Sequence, residues 1–328
     1  MTVRVNKDSF NLREKLSKLE RPIGLKGSEL MRAETSQEAR DLVSAGRKNL
    51  IINGDMRVAQ RGTSGTKSGS SYGGYLSVDR WAIYYDNTVI AQTDVTINGQ
   101  LKKACKVTAG SSNGRAYIYH KIENSSRLLG NGTPFSISFW ARASRIEQRQ
   151  INWRFYDHGT QNNGSASDVT VITIGTEWKH YKIENVSLID ANYNATRDGG
   201  LWLFNAVGDD IGTGFWFEFT EVQIEIGKNA TEFEHRPIGE ELALCQRYYW
   251  QQEDFLWLYS LDVNHSYVRC NIFYPVEMRA APTVTGTFNY TGSFSGFQSI
   301  TKKHTIPYVN GPGSNLVDIR DAKFNAEL

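Results

Sequence analysis

Seven residues have the types and the alternation to hold a sugar: Trp140, Arg142, Asn152, Arg154, Tyr156, Trp216 and Glu218. A saccharide offers hydroxyls to fork-shaped or bidentate partners and a weakly apolar C–H face to flat rings. A groove for one therefore needs Trp or Tyr beside Arg, Asn, Asp or Glu. Successive side chains on a strand point to opposite faces. If Ile137, Phe139, Ile151, Phe155, Phe215, Phe217 and Phe219 turn to a core, the opposite face gathers these seven. Two uses of that face stay open: it meets a glycan, or Trp140 and Trp216 are covered by the N-terminal segment or a neighbouring subunit. A second set of rings, Tyr290, Phe294, Phe297 and Tyr308, sits among Gly, Ser and Asn and suits either adhesive loops or subunit contacts.

The search for catalysis is mostly negative. The histidines His120, His158, His180, His235, His265 and His304 are scattered, and no HExxH, GxSxG or phosphate-cradling glycine loop occurs. GTSGTK at Gly62 to Lys67 lacks the spacing and the following helix of a phosphate loop, and reads as a solvated hairpin tip. Asp209 and Asp210 are adjacent, so on a strand they point opposite ways. Sugar cleavage would need a second acid from elsewhere. In the turn GDDIGTG they either satisfy backbone amides or ligate a structural calcium, which wants six or more oxygens. No other cofactor is expected. Cys105, Cys245 and Cys270 are too far apart for a paired-cysteine zinc site and too few for a disulfide framework, which leaves reduced, partly buried thiols.

These residues need elements to carry them, and 328 residues allow two or three folding units with an ample core. The chain holds 29 Gly against 7 Pro, with 16 Tyr, 15 Phe and 8 Trp, a bias towards strands joined by glycine turns. A net charge of +2 with no Lys/Arg run gives no field for nucleic acid. No stretch approaches the roughly 20 apolar residues of a membrane span, and the charged first residues lack a signal-peptide core, so synthesis in a cytosol is expected.

Along the chain the texture changes once, near Asn49. Before it, Leu12, Leu16, Leu19 and Ile23 form a short a/d stripe ended by Pro22 and Gly24. A second helix starts at Thr35 with Glu38 as its capping partner and carries Leu42 and Val43 on one face. Helices this short barely hold alone. They pack on their own domain, bundle with identical chains or plug into a larger assembly. After Asn49 come short β-branched and aromatic runs: Val169 to Ile174, Lys179 to Ile183, Leu201 to Ala206, Phe215 to Phe219 and Val222 to Ile226. This is the pattern of an antiparallel two-sheet sandwich. Trp81 is expected at the start of a strand with Arg80 available to a carboxylate, and Trp178 and Trp202 in the core. A helical stretch, Gly239 to Gln251, leads to a small last domain with strands at Tyr267 to Phe273, Thr283 to Phe288 and Leu316 to Ile319. The expected divisions are 1–47, a helical anchor; 48–236, the sandwich; and 237–328, a helix plus β-rich tail.

Four blocks resemble segments that recur in tail fibre and tail-tip adhesins of tailed bacteriophages. They are NLIINGDMRVAQRGTS (Asn49 to Ser64) with DRW (Asp79 to Trp81), FSISFWARAS (Phe135 to Ser144), FEHRPIGEELALCQRYYWQ (Phe233 to Gln251) and YPVEMRAAPTVT (Tyr274 to Thr285). The leader Arg21 to Asn49 is similar to leaders of marine phage tail proteins. The resemblance implies a mainly β chain whose central blocks form a jelly-roll of the carbohydrate-binding-module type. It also implies a non-enzymatic virion component, often trimeric, assembled in the host cytoplasm. Such a chain docks on other tail proteins by its N-terminus, through Leu12, Leu16, Leu19, Ile23, Leu42 and Val43 here, and meets host surface polysaccharide distally. Two other readings stand beside it: a polysaccharide depolymerase of the tail, and an internal connector that never touches the host. The chain departs from long fibres in having no repeat or heptad shaft.

Overall fold

Alternating apolar and polar side chains build two antiparallel sheets that close on one core. The computed structural model describes residues 48–69, 74–83, 87–110, 118–156, 166–189, 198–206, 214–252, 256–259, 267–269, 271–290, 293–310 and 316–327. The chain divides into two compact units, Met1–Lys48 and Asn49–Leu328, and all described residues except Lys48 belong to the second. The expected anchor residues Leu12, Leu16, Leu19, Ile23, Leu42 and Val43 lie outside the described residues, as do Asp209, Asp210 and Cys270.

The fold is mainly β, with a jelly-roll sandwich that has eleven strands among the described residues. In chain order these are β1 (Ser64–Thr66), β2 (Trp81–Ile83), β3 (Val89–Ile97), β4 (Gln100–Thr108), β5 (Ile118–Ile122), β6 (Phe135–Ala143), β7 (Glu147–Tyr156), β8 (Ala166–Ile174), β9 (Lys179–Val186), β10 (Asp198–Ala206) and β11 (Trp216–Ile226), with a short helix α1 (Ser125–Leu129) after β5. One sheet has the order β1-β3-β4-β11-β6-β9 and the other β2-β5-β10-β7-β8. β3 and β4 form a hairpin closed by Asn98 and Gly99, both at positive φ (51° and 77°), the two-residue turn whose twist matches that of the strands.

The inner faces meet through Ile137, Phe139 and Ala141 of β6, Ile151 and Trp153 of β7, and Phe217 and Phe219 of β11, all fully buried. Each such aromatic contributes roughly 1.5–3 kcal/mol on burial. Two bulges keep this core continuous. In β10 the register shifts between Trp202 and Asn205, and Phe204 takes φ 63°, so that Leu203 and Phe204 both reach the core. The Phe204 ring then packs 4.4 Å from Phe217 and 5.7 Å from Phe139. In β11 the shift lies between Thr220 and Gln223, with Glu221 at φ 52°. The two strands expected at Phe215 to Phe219 and Val222 to Ile226 are therefore one strand, whose alternation the bulge resets.

The second helix, α2 (Ile238–Gln246), leads into β12 (Tyr249–Gln251), β13 (Leu256–Tyr259), β14 (Tyr267–Arg269), β15 (Ile272–Phe273), β16 (Thr283–Tyr290), β17 (Ser293–Ile300), β18 (His304–Asn310) and β19 (Leu316–Asn325). β12, β13 and β16 pair with β19, while β14, β15 and β17 pair with β18. A small core of Ile272, Met278, Ile319, Ala322 and Phe324 holds them, with Trp250 stacked 4.9 Å from Phe324.

Two of the blocks singled out in the sequence, Asn49 to Ser64 with Asp79 to Trp81 and Phe233 to Gln251, clamp this unit. Asn53 takes φ 56°; its side-chain amide donates to the carbonyls of Val58 (2.8 Å) and Asp79 (2.9 Å), and its own carbonyl accepts from Trp81 Nε1 (3.0 Å). Its backbone N–H donates to Glu241 of α2 at 2.5 Å, and Glu241 also pairs with Arg236 at 3.2 Å. Arg80, fully buried, pairs with Glu327 at the end of the tail, which Arg61 also reaches at 3.2 Å. The tail thus leans on the sandwich through buried ion pairs, and Arg80 has the carboxylate expected for it.

Candidate functional site

The outward positions of β6 and β11 place four of the seven expected residues side by side on the six-stranded sheet. Glu218 stands opposite Arg142 and Thr220 opposite Trp140 in the β11–β6 register. Arg142 donates to Glu218 Oε2 from Nε at 2.8 Å and approaches the same oxygen with Nη2 at 2.7 Å. Its guanidinium lies 5.7 Å from the Trp216 ring centre and 5.1 Å from that of Trp178, so one cation spaces two indoles. The Lys106 ammonium sits 4.4 Å from the Trp216 centroid. At the sheet's other side Trp140 stacks on His180, centroids 5.1 Å apart and planes 21° apart. His180 is held below its ordinary value by burial, then by Lys182, which favours the neutral imidazole beside the indole.

The face is curved. Val95, Ile97 and Ala104 of the β3–β4 hairpin form a cluster with Trp140 and Trp178, although β11 and β4 lie between β6 and β3. Glu218 is almost buried, its side chain 5% exposed, while Arg142 keeps 33%. The result is a shallow trough with indole rings and an ordered Arg–Glu fork, which can stack on a sugar face and exchange hydrogen bonds with its hydroxyls.

The other three expected residues lie elsewhere. Asn152, Arg154 and Tyr156 belong to β7, which runs in the five-stranded sheet. Asn152 is only 4% exposed, and the Arg154 guanidinium lies 4.6 Å from the ring centre of Trp202, itself 1% exposed and stacked on Tyr119. The single groove of seven is thereby corrected to a trough of four. In a sandwich the outward positions of the two sheets face away from each other, and alternation within a strand does not reveal which sheet the strand joins.

Residues that sequence reasoning missed complete the trough. Trp178, expected in the core, is half-buried and on this outer face. His180 faces Trp140 across the β6–β9 pairing, and Lys106 sits opposite Glu218 in β4–β11. A register was needed to see either. Trp81 (fully buried) and Trp202 are structural as expected. Cys105 and Cys245 are free and buried, their thiols pushed well up by burial. Among the described residues no group of His, Cys, Asp and Glu could hold a metal ion.

No protein-family model and no curated protein matches the chain. Among solved structures, a CBM4 structure overlaps 54% of this chain and 100% of its own, at 13% identity and TM-score 0.33. The enzymatically active domain of bacteriophage CBA120 tailspike protein 4 overlaps 55% of this chain and 21% of its own, at 16% identity and TM-score 0.34. The CBM22-2 xylan-binding domain from Paenibacillus barcinonensis Xyn10C overlaps 45% and 92%, at 15% identity and TM-score 0.33. Overlaps this loose carry no argument about ligand or role.

Proposed function

We propose that the sandwich binds saccharide chains on the outer face of its six-stranded sheet, without catalysis, and that the chain is a host-attachment adhesin of a bacteriophage tail. The observation that carries the first part is the trough itself, with Trp140, Trp178 and Trp216 set around the Arg142–Glu218 fork. Rings and fork are held by their neighbours before any ligand arrives, which lowers the cost of ordering on binding. The sequence blocks from Asn49 to Thr285 support the second part. In that role the leader docks on other tail proteins and three identical chains present their troughs together. Linking weak sites this way raises avidity by roughly 10² to 10⁴ without new contacts.

The test is a titration of the full chain with neutral xylo-, gluco- and galacto-oligosaccharides and bacterial lipopolysaccharide, followed by tryptophan fluorescence. Binding to at least one probe is expected, weakened about tenfold by Trp140→Ala or Arg142→Ala, in line with ~0.5–1.5 kcal/mol for a lost aromatic contact or more for a charged hydrogen bond. The polymer should keep its size. Silence with every probe, or equal binding by both variants, refutes the trough. Antibodies against the chain should label the tails of virions that contain it, and labelling of no tail position refutes the adhesin role.

A further inference from the structure

The trough does not end at Trp140. Thr220, directly opposite Trp140, also lines a cleft of about 340 Å³ between the β3–β4 hairpin and the segment Asp55 to Arg57. Side chains directly opposed on neighbouring strands have Cβ atoms about 5 Å apart, so cleft and trough adjoin. Backbone geometry shapes this end. The left-handed Glu221 at the β11 bulge turns its carboxylate to Lys102 at 2.5 Å. Asp94 pairs with Lys103 at 2.8 Å, and Asp55 Oδ2 with Arg57 at 2.5 Å.

The cations on the hairpin and beside Asp55 are thus matched by anions, and the cleft offers donors and acceptors with little surplus charge. One acceptor is left over. Asp55 is only 8% exposed, and its Oδ1 is buried with no hydrogen-bond partner among the described residues. A buried carboxylate oxygen without a donor is costly, and a hydroxyl entering the cleft would satisfy it. A cleft of about 340 Å³ has room for a sugar ring with bridging water.

We propose that this cleft is the end subsite of the trough and takes a neutral, hydroxyl-rich sugar unit, one hydroxyl of which donates to Asp55 Oδ1. The proposal rests on the saccharide reading of the trough. Arg57, Lys102, Lys103 and Arg236 of the lining are each engaged by a carboxylate already, so none of the four is left to pair with an acidic unit. Gln100, exposed on the hairpin, supplies an amide at the rim.

The experiment is calorimetric titration of the full chain with neutral xylo- and gluco-oligosaccharides of two to six units, and with oligogalacturonides of the same lengths. Asp55→Asn should weaken binding of the longest neutral probe about tenfold or more, the scale of one lost charged hydrogen bond, and leave the shortest unchanged. Gln100→Ala should weaken the same long probe, with an unaltered melting curve that separates this loss from misfolding. Trp140→Ala should weaken every length. If Asp55→Asn and Gln100→Ala match the parent at all lengths while Trp140→Ala is impaired, the end subsite is wrong and the trough stands. If Asp55→Asn is impaired and Trp140→Ala is not, the cleft stands alone and the trough reading fails. Tighter binding of oligogalacturonides than of neutral probes overturns the neutral assignment.

Discussion

Asp79, the acid of the DRW block, should make the protein lose stability as pH rises from about 4 to 7. Its side chain is 1% exposed. Burial pushes its carboxyl up from the ordinary 3.8 to about 6, against the pull of Arg61 at 3.3 Å and of hydrogen bonds from Gln60. The sign follows from proton counting. Between 3.8 and about 6 the folded state holds a proton that the unfolded chain has released, so unfolding free energy falls as pH climbs through that window. At about 1.36 kcal/mol per pH unit, the loss totals about 3 kcal/mol, most of it between pH 4 and pH 7. Asp79→Asn has no proton to exchange. Urea or guanidinium unfolding of both proteins at several pH values, taken as the difference between them, cancels every carboxylate they share. The parent should lose about 2–3 kcal/mol relative to Asp79→Asn between pH 4 and pH 7. A difference that stays constant, or that moves the other way, refutes the reasoning.

Four further outcomes are expected. Gly54→Ala places a Cβ 2.3 Å from the Val222 carbonyl, a backbone atom that cannot step aside, and should cost about 2 kcal/mol or more in denaturant unfolding. Trp81→Ala removes a fully buried ring packed 5.0 Å from His120 and 5.2 Å from Phe219, and should cost about 3–5 kcal/mol by the same measurement. Arg149 is fully buried, and its Nε, Nη1 and Nη2 all lack hydrogen-bond partners among the described residues, its guanidinium lowered to about 10 by burial. Arg149→Met should therefore leave stability unchanged or raise it by about 1–3 kcal/mol, and a clear loss contradicts this. Cys105 and Cys245 should resist iodoacetamide at pH 8 in the native protein and react in denaturant, as read by peptide mass mapping.

The sequence alone determined what depends on local periodicity. Alternation from Phe135 to Ala143 and around Ile151 and Trp153 told strand from helix and core side from outer side, because the pleat fixes which side chains share a face. The helix near Leu242 and the clamp role of Arg80 were legible for similar reasons: an apolar period and a charged residue beside a buried tryptophan. Sheet membership was not local. Trp140 and Arg154 read alike in sequence, yet one strand pairs with β11 and the other with β10, a choice made by long-range hydrogen bonding. Tertiary structure alone decided that Trp178 leaves the core and that His180 lies under Trp140. It also decided that Glu221, where the alternation of β11 breaks, lines a cleft. A bulge adds one residue to one strand, and its effect on who faces whom exists only once the partner strand is in place.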